Sequence, residues 1–286
     1  MLGRATIGLF FLLLVWGNIV AGLKAGLACP DWPLCHGKVL PPFRLDIYME
    51  FFHRVIAAVA AGFLVVLSWR RFRDSRGAAR AVPLAALGLL AGEIALGGAV
   101  VLLRIPVQLT TIHFMVGLVV FLLAVYMASF DGIWDPPSFS LSGRSALFFG
   151  VGALVFLLAS LGAYVRHADA GLACADWPSC LGGLFPNVLT GHVLIHFSHR
   201  VLAALVFLTI AALYASLMLD RRMKENRGLA RALLLLTLAQ VAIGGAVVLT
   251  RLNFLATGLH LAVALGMMTV LFHLWAREVR RGEVLT

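Results

Sequence analysis

Eight apolar runs, separated by short polar stretches, decide what this chain can fold into. They fall at about 5–23, 47–69, 82–103, 110–130, 144–165, 191–218, 229–250 and 256–276. A helix of ~20 apolar residues matches the ~30 Å hydrocarbon core of a bilayer. In lipid the backbone must satisfy its own polar groups, and a helix does so within one segment. Composition points the same way: 62% of residues are hydrophobic and 13% charged, against about 25% charged in a soluble domain. With 286 residues, the eight spans leave room for short loops and no large soluble domain. The sequence therefore predicts an all-α membrane protein with eight transmembrane helices.

The net charge of +10 is not a nucleic-acid footprint, because its distribution is periodic. Arg70, Arg71, Arg73, Arg76 and Arg80 form one cluster. Arg221, Arg222, Lys224, Arg227 and Arg231 form a second, and Arg277, Arg280 and Arg281 a third. Alternate loops are less basic. The positive-inside rule then puts loops 70–81 and 219–228 and both termini in the cytoplasm, and loops 24–46 and 166–190 outside. The localisation this predicts is multi-pass in a cell (inner) membrane, with the bilayer as partner and no nucleic acid. The first apolar run is not a cleaved signal peptide, since an equivalent segment recurs in mid-chain. Residues 131–143, DGIWDPPSFSLSG, read as an inner linker.

The chain repeats itself. CPDWPLC at 29–35 matches CADWPSC at 174–180, and FHRV at 52–55 matches SHRV at 198–201. GGAVVL at 97–102 recurs at 244–249, Arg104 then matches Arg251, and His113 matches His260. The offsets stay between 145 and 147. Four spans per half give both halves one orientation, so the expected architecture is two parallel tandem four-helix bundle repeats, 1–135 and 136–286.

His53, His113, His199 and His260 hold equivalent places, each near the outer end of an even-numbered span. Imidazole in a membrane bundle is costly unless paired, bonded or coordinating. One histidine from each of two neighbouring helices at one depth is the geometry of a bis-histidine haem in a four-helix bundle. The plainer alternative is histidines hydrogen-bonded across helices as packing glue. Duplication of the pair at matched depth favours haem.

Around these histidines the halves differ. Glu50 lies three residues before His53, where His196 lies three before His199. Such spacing shares a helix face, so each is expected to point into its own haem pocket. A carboxylate there takes protons or stabilises positive charge; alternatively, Glu50 caps or solvates its helix end. Cys29/Cys35 and Cys174/Cys180 lie on outer loops, where disulfides persist, and each pair is spaced to close a local bridge. A structural staple is the plain role, above all for the second pair; an exposed bridge near a haem can also exchange electrons. Arg54, Arg200, Arg104 and Arg251 are candidates to pair with haem propionates, or snorkel to the interface. The GGAVVL stretches read as small-residue faces for helix packing. Glu93, in mid-span where the repeat has Gln240, is an intramembrane acid with no assigned role.

GLACPDWPLCHG, E-x-x-H-R at Glu50–Arg54, T-x-H at Thr111–His113, H-x-x-H-R at His196–Arg200 and G-L-H at Gly258–His260 together resemble the haem A synthases of bacteria and mitochondria, over nearly the whole chain. The resemblance implies oxidation of a methyl group of haem O to a formyl group through hydroxylated intermediates. It implies that Glu50, His53 and His113 form the substrate-haem site, that His199 and His260 ligate a haem b iron cofactor with His196 beside it, and that Cys29 and Cys35 form a disulfide linked to activity. The implied partners are haem O, a haem O synthase, and a quinone or other electron acceptor. A homo-oligomer is compatible with the same reading. The sequence departs from the simplest members in keeping a second cysteine pair, and in carrying Glu93 where a glutamine is expected.

The rival reading is a non-catalytic dihaem b-type electron carrier of the quinone oxidoreductase kind. It accounts for four histidines, but not for Glu50 in one half only or for the outer cysteines. A transporter, which parallel repeats allow, leaves the histidines without a purpose.

Overall fold

The computed structural model describes residues 1–129 and 143–284, and no β-strand occurs among them. The helices are α1 (Leu2–Gly22), α2 (Leu45–Asp74), α3 (Ala81–Leu102), α4 (Val107–Ser129), α5 (Gly143–His167), α6 (Gly191–Leu219), α7 (Arg227–Leu249) and α8 (Phe254–Val284). Short 3-10 turns at Gly77–Arg80 and Arg221–Asn226 lead into α3 and α7. All eight helices are long and apolar enough to cross a membrane. The protein is a multi-pass membrane protein.

Helix existence follows hydropathy; helix ends do not. The second apolar run ends near 69, yet α2 continues to Asp74 with Arg71 and Arg73 in its last turn. The last run ends near 276, yet α8 reaches Val284. Hydropathy marks where lipid stops, while backbone hydrogen bonding continues into water, where cationic side chains suit the negative end of the helix dipole.

The chain divides into two compact units, Met1–Pro136 and Pro137–Thr286. The expected linker lies outside the described residues except for Gly143, which starts α5. In the first unit α1 and α3 each pack against both α2 and α4, which closes a ring of four. In the second, α5 and α7 each pack against both α6 and α8. This corrects one expectation. The paired histidines are not on neighbouring helices but on helices that face each other across the ring, because consecutive antiparallel helices sit side by side and odd helices separate the even ones.

Away from the cysteine loops each ring is filled with apolar side chains. Leu64, Leu118, Phe121 and Ala124 do this in the first unit, and Phe148, Ile210, Leu265 and Leu271 in the second. α1 and α4 approach so closely there that a Cβ on Gly3 would lie 2.7 Å from that of Ala128. Large apolar side chains such as Val65, Trp69, Leu84, Leu208 and Leu235 point outward, as lipid-facing helices require.

The two units share unusual backbone. Among the described residues, the non-glycine residues with positive φ pair off at offsets of 145 or 147: Lys24/Asp169, His36/Leu181, Arg104/Arg251 and Ile105/Leu252. The last two pairs close α3 and α7. The N–H of Ile105 donates to the Val100 carbonyl (2.7 Å) and that of Leu252 to Val247 (2.8 Å), the long-range bond of a Schellman-type helix end.

Candidate functional site

Each of the four matched histidines lays its ring on a glycine of an adjoining helix. A Cβ on Gly17 would meet His53 Cε1 at 2.8 Å, and one on Gly162 would meet His199 Cε1 at 3.0 Å. The same atom of His113 would lie 3.2 Å from a Cβ on Gly97, and that of His260 3.1 Å from one on Gly244. Any larger residue would push the ring away. Each imidazole is thus seated between helices near the cysteine-loop end of its ring. The second glycine of each GGAVVL takes a different guest: Trp32 lies on Gly98 and Trp177 on Gly245, at 3.0 and 2.9 Å from an added Cβ. The first glycine of each stretch thus makes the expected close contact between helices, through a histidine, while the second seats a loop tryptophan.

His260 has a cross-helix partner in Gln240 at 3.3 Å, yet ring nitrogen stays unused in all four histidines. The Nδ1 atoms of His53, His113, His199 and His260 are all buried without an aligned hydrogen-bond partner. Bare glycines leave backbone within reach of the rings: His199 lies toward the Leu158 carbonyl and His260 toward that of Gln240. Buried imidazoles facing across a ring, each with nitrogen left over, fit axial ligation of a haem iron, for which the second ring nitrogen is normally oriented by a protein acceptor.

Above each pair sits a clasp under the cysteine loop. Glu50 is only 5% exposed, so it neither caps nor solvates its helix end. Its Oε1 accepts from Arg54 Nε at 3.0 Å, and His113 and Glu50 are within electrostatic range of one another. The rest of the Arg54 guanidinium donates to the carbonyls of Asp31 (2.8 Å), Leu34 (2.7 Å) and Cys29 (3.0 Å). In the second unit Arg200 donates to the carbonyls of Ser179, Cys174 and Asp176. Its Nε lies 3.3 Å from His196 Nε2, while the Cys174 N–H lies 3.3 Å from His196 Nδ1. A neutral imidazole accepts at one nitrogen only, so one of these is a bond and the other a contact. His196, like Glu50, is buried. Both reach toward the loop arginine rather than hanging free over a pocket.

Both cysteine pairs are bridged, Cys29–Cys35 and Cys174–Cys180. All four sulfur residues are at most 2% exposed. The exposed bridge expected from the loop is instead shut away: Cys29 and Cys35 cluster with Ile47, and Ala28 and Phe51 pack against them. The shared aspartate, to which the sequence reading gave no part, closes the loop. Asp31 accepts from the N–H groups of His36 (2.6 Å) and Gly37 (2.7 Å), and Asp176 from those of Leu181 (2.9 Å) and Gly182 (2.8 Å). The Gly37 N–H holds the Asp31 carboxyl below its usual range. The Ser179 hydroxyl and then the Gly182 N–H bring that of Asp176 down to about 2. The signal for this was present: D-W-P is what the two loops have in common.

Of the four arginines, Arg54 and Arg200 have their donors on the loops, while Arg104 and Arg251 lie exposed at the ends of α3 and α7. Glu93 reaches the site: its Oε1 stands 3.1 Å from His113 Nδ1. At the corresponding place Gln240 Nε2 stands 3.3 Å from His260 Nε2.

Comparison with known proteins yields one consistent answer. A family described as cytochrome oxidase assembly protein matches residues 1–125, 145–188 and 183–272. The chain is 33% identical to the haem A synthase of Symbiobacterium thermophilum, covering 94% of this chain and 92% of that protein. It is 30% identical to that of Geobacillus thermodenitrificans over 96% and 90%, and 29% identical to that of Halalkalibacterium halodurans over 92% and 91%.

Proposed function

The chain belongs to the cytochrome oxidase assembly family that these haem A synthases represent, and on that footing we propose that it oxidises the methyl group of haem O to a formyl group in its first four-helix unit. It is an oxidoreductase of haem A biosynthesis. One observation carries the finer reading. The two histidine sites carry different buried residues one turn before the first histidine, Glu50 in one and His196 in the other.

His53 and His113 hold the iron of the substrate from opposite sides of the ring, which fixes the position of the methyl group. His199 and His260 hold a haem b, which when bound supplies one-electron transfer. The chemistry is two successive two-electron oxidations. The methyl group and a water give a hydroxymethyl group, two protons and two electrons; the hydroxymethyl group then gives the formyl group, two protons and two electrons. Glu50, held by Arg54 Nε at 3.0 Å, accepts protons released at the substrate edge. A haem held by His199 and His260 would supply one-electron transfer toward the final acceptor, a quinone or another oxidant. Arg104 and Arg251 pair with propionates, since Arg54 and Arg200 are engaged by the loops. Substrate arrives through the bilayer from a haem O synthase. The cysteine loops face outside and both termini the cytoplasm.

The test is the pigment bound after production in a host that makes haem O. Haem O and haem A among the extracted haems is the expected result. Haem b alone would support the dihaem carrier and remove the synthase reading.

A further inference from the structure

We propose that Glu93 is the positioning residue of His113: it takes the Nδ1 proton of this imidazole, turns Nε2 to the substrate's iron, and makes His113 a stronger electron donor than its counterpart His260. The proposal rests on the reading of His113 as a substrate-haem ligand.

Three observations support it. First, Glu93 Oε1 lies 3.1 Å from His113 Nδ1. The two atoms are within hydrogen-bonding distance, though not aligned as a hydrogen bond in this structure. Second, the carboxyl group has a seat of its own. A Cβ on Gly117, one turn beyond His113 on α4, would lie 2.9 Å from Glu93 Oε1. The other oxygen, Oε2, is buried without a partner. A carboxylate inside a membrane bundle is costly and persists where it acts. Third, the second unit changes both members together. At the offset of 147 that relates His113 to His260, Gly117 becomes Ala264, and Gln240 stands where Glu93 does. The Gln240 amide approaches the other ring nitrogen, Nε2, at 3.3 Å. One unit therefore offers its histidine an anionic acceptor in a glycine-made notch, and the other a neutral amide with the notch filled.

The physical effect follows. A carboxylate accepting the Nδ1–H fixes the tautomer and raises the basicity of the coordinating nitrogen. Iron bound there is richer in electrons and harder to reduce. That suits a site where the substrate itself is oxidised, while a neutral partner suits a site that only passes electrons.

The protein is purified from a host that makes haem O; haem reduction is followed in a potential titration, and haems are extracted in parallel. Glu93→Gln copies the second unit's residue at nearly constant size. It should keep the parental haem content, move one reduction step to higher potential, and slow formation of haem A by about 10–100-fold, the usual cost of losing a group that orients a ligand. Gly117→Ala, which presses the carboxyl group from its seat, should move the same step in the same direction. A Glu93→Gln protein with full haem content and unmoved steps would overturn the proposal. A His113→Ala protein that keeps its full haem complement would instead overturn the ligand reading beneath it.

Discussion

Glu50 and Gly162 offer two tests of how a single residue would control the proposed chemistry. Glu50 is buried, one turn from His53, with Arg54 as its partner. Glu50→Gln keeps the size and one acceptor oxygen but removes the base. The variant should still bind haem while haem O or its hydroxymethyl form accumulates, with a rate loss of about 10²–10⁴. Extracted haems normalised to protein give the answer, and parent-like conversion would take Glu50 off the catalytic list. Gly162 acts by being small. Gly162→Val puts branched carbon where His199 Cε1 already lies 3.0 Å from an added Cβ. Haem b content should fall, with affinity lower by about 10–100-fold, while the protein still inserts in the membrane; an unchanged haem b spectrum would count against the seat. The three-residue spacing of Glu50 and His53 was legible in the sequence, because one helix turn makes neighbours of such residues. The glycine seats were not, because a contact between two helices leaves no local pattern. Their traces were the 145-residue offset of Gly17 and Gly162, shared with the cysteines, and the repeated GGAVVL that holds Gly97 and Gly244.

Among the elements, the loop between α1 and α2 and its counterpart between α5 and α6 depend on one arginine each. Removing these should not have equal effects. Arg54→Ala strands a buried carboxylate, which costs about 3–5 kcal/mol. Arg200→Ala frees carbonyls and a neutral imidazole, for which about 1–3 kcal/mol is usual. Thermal unfolding of the two variants in detergent should show the larger drop in Tm for Arg54→Ala, and the double variant Glu50→Gln with Arg54→Ala should recover part of it. Equal drops would mean that Glu50 gains nothing from its ion pair. The helices themselves were readable from hydropathy, since lipid demands long apolar runs. The order around each ring was not, because hydropathy says which residues avoid water and not which helix each one meets. The arginines were read as propionate partners from their charge alone; only the path of the loop back over α2 and α6 brings backbone carbonyls to them.

At the level of the whole molecule, orientation follows from the basic clusters. Reporter fusions after residues 75 and 225 should report cytoplasm, and fusions near 35 and 178 the exterior. A reversed result at any of these breaks the alternation of the eight spans, because each later span inherits the direction of the one before. Duplication was legible in the chain because matched motifs kept their order and spacing. The proposed division of labour between the halves rests on the few places where the match fails: Glu50 against His196 and Glu93 against Gln240. Trp32 adds a constraint on biogenesis. It emerges from the ribosome well before Gly98, the residue on which it comes to rest, and Trp177 likewise precedes Gly245. Neither loop can settle until the third span of its own half has been threaded through the membrane, so the first three spans of each half must be in place before its outer loop matures.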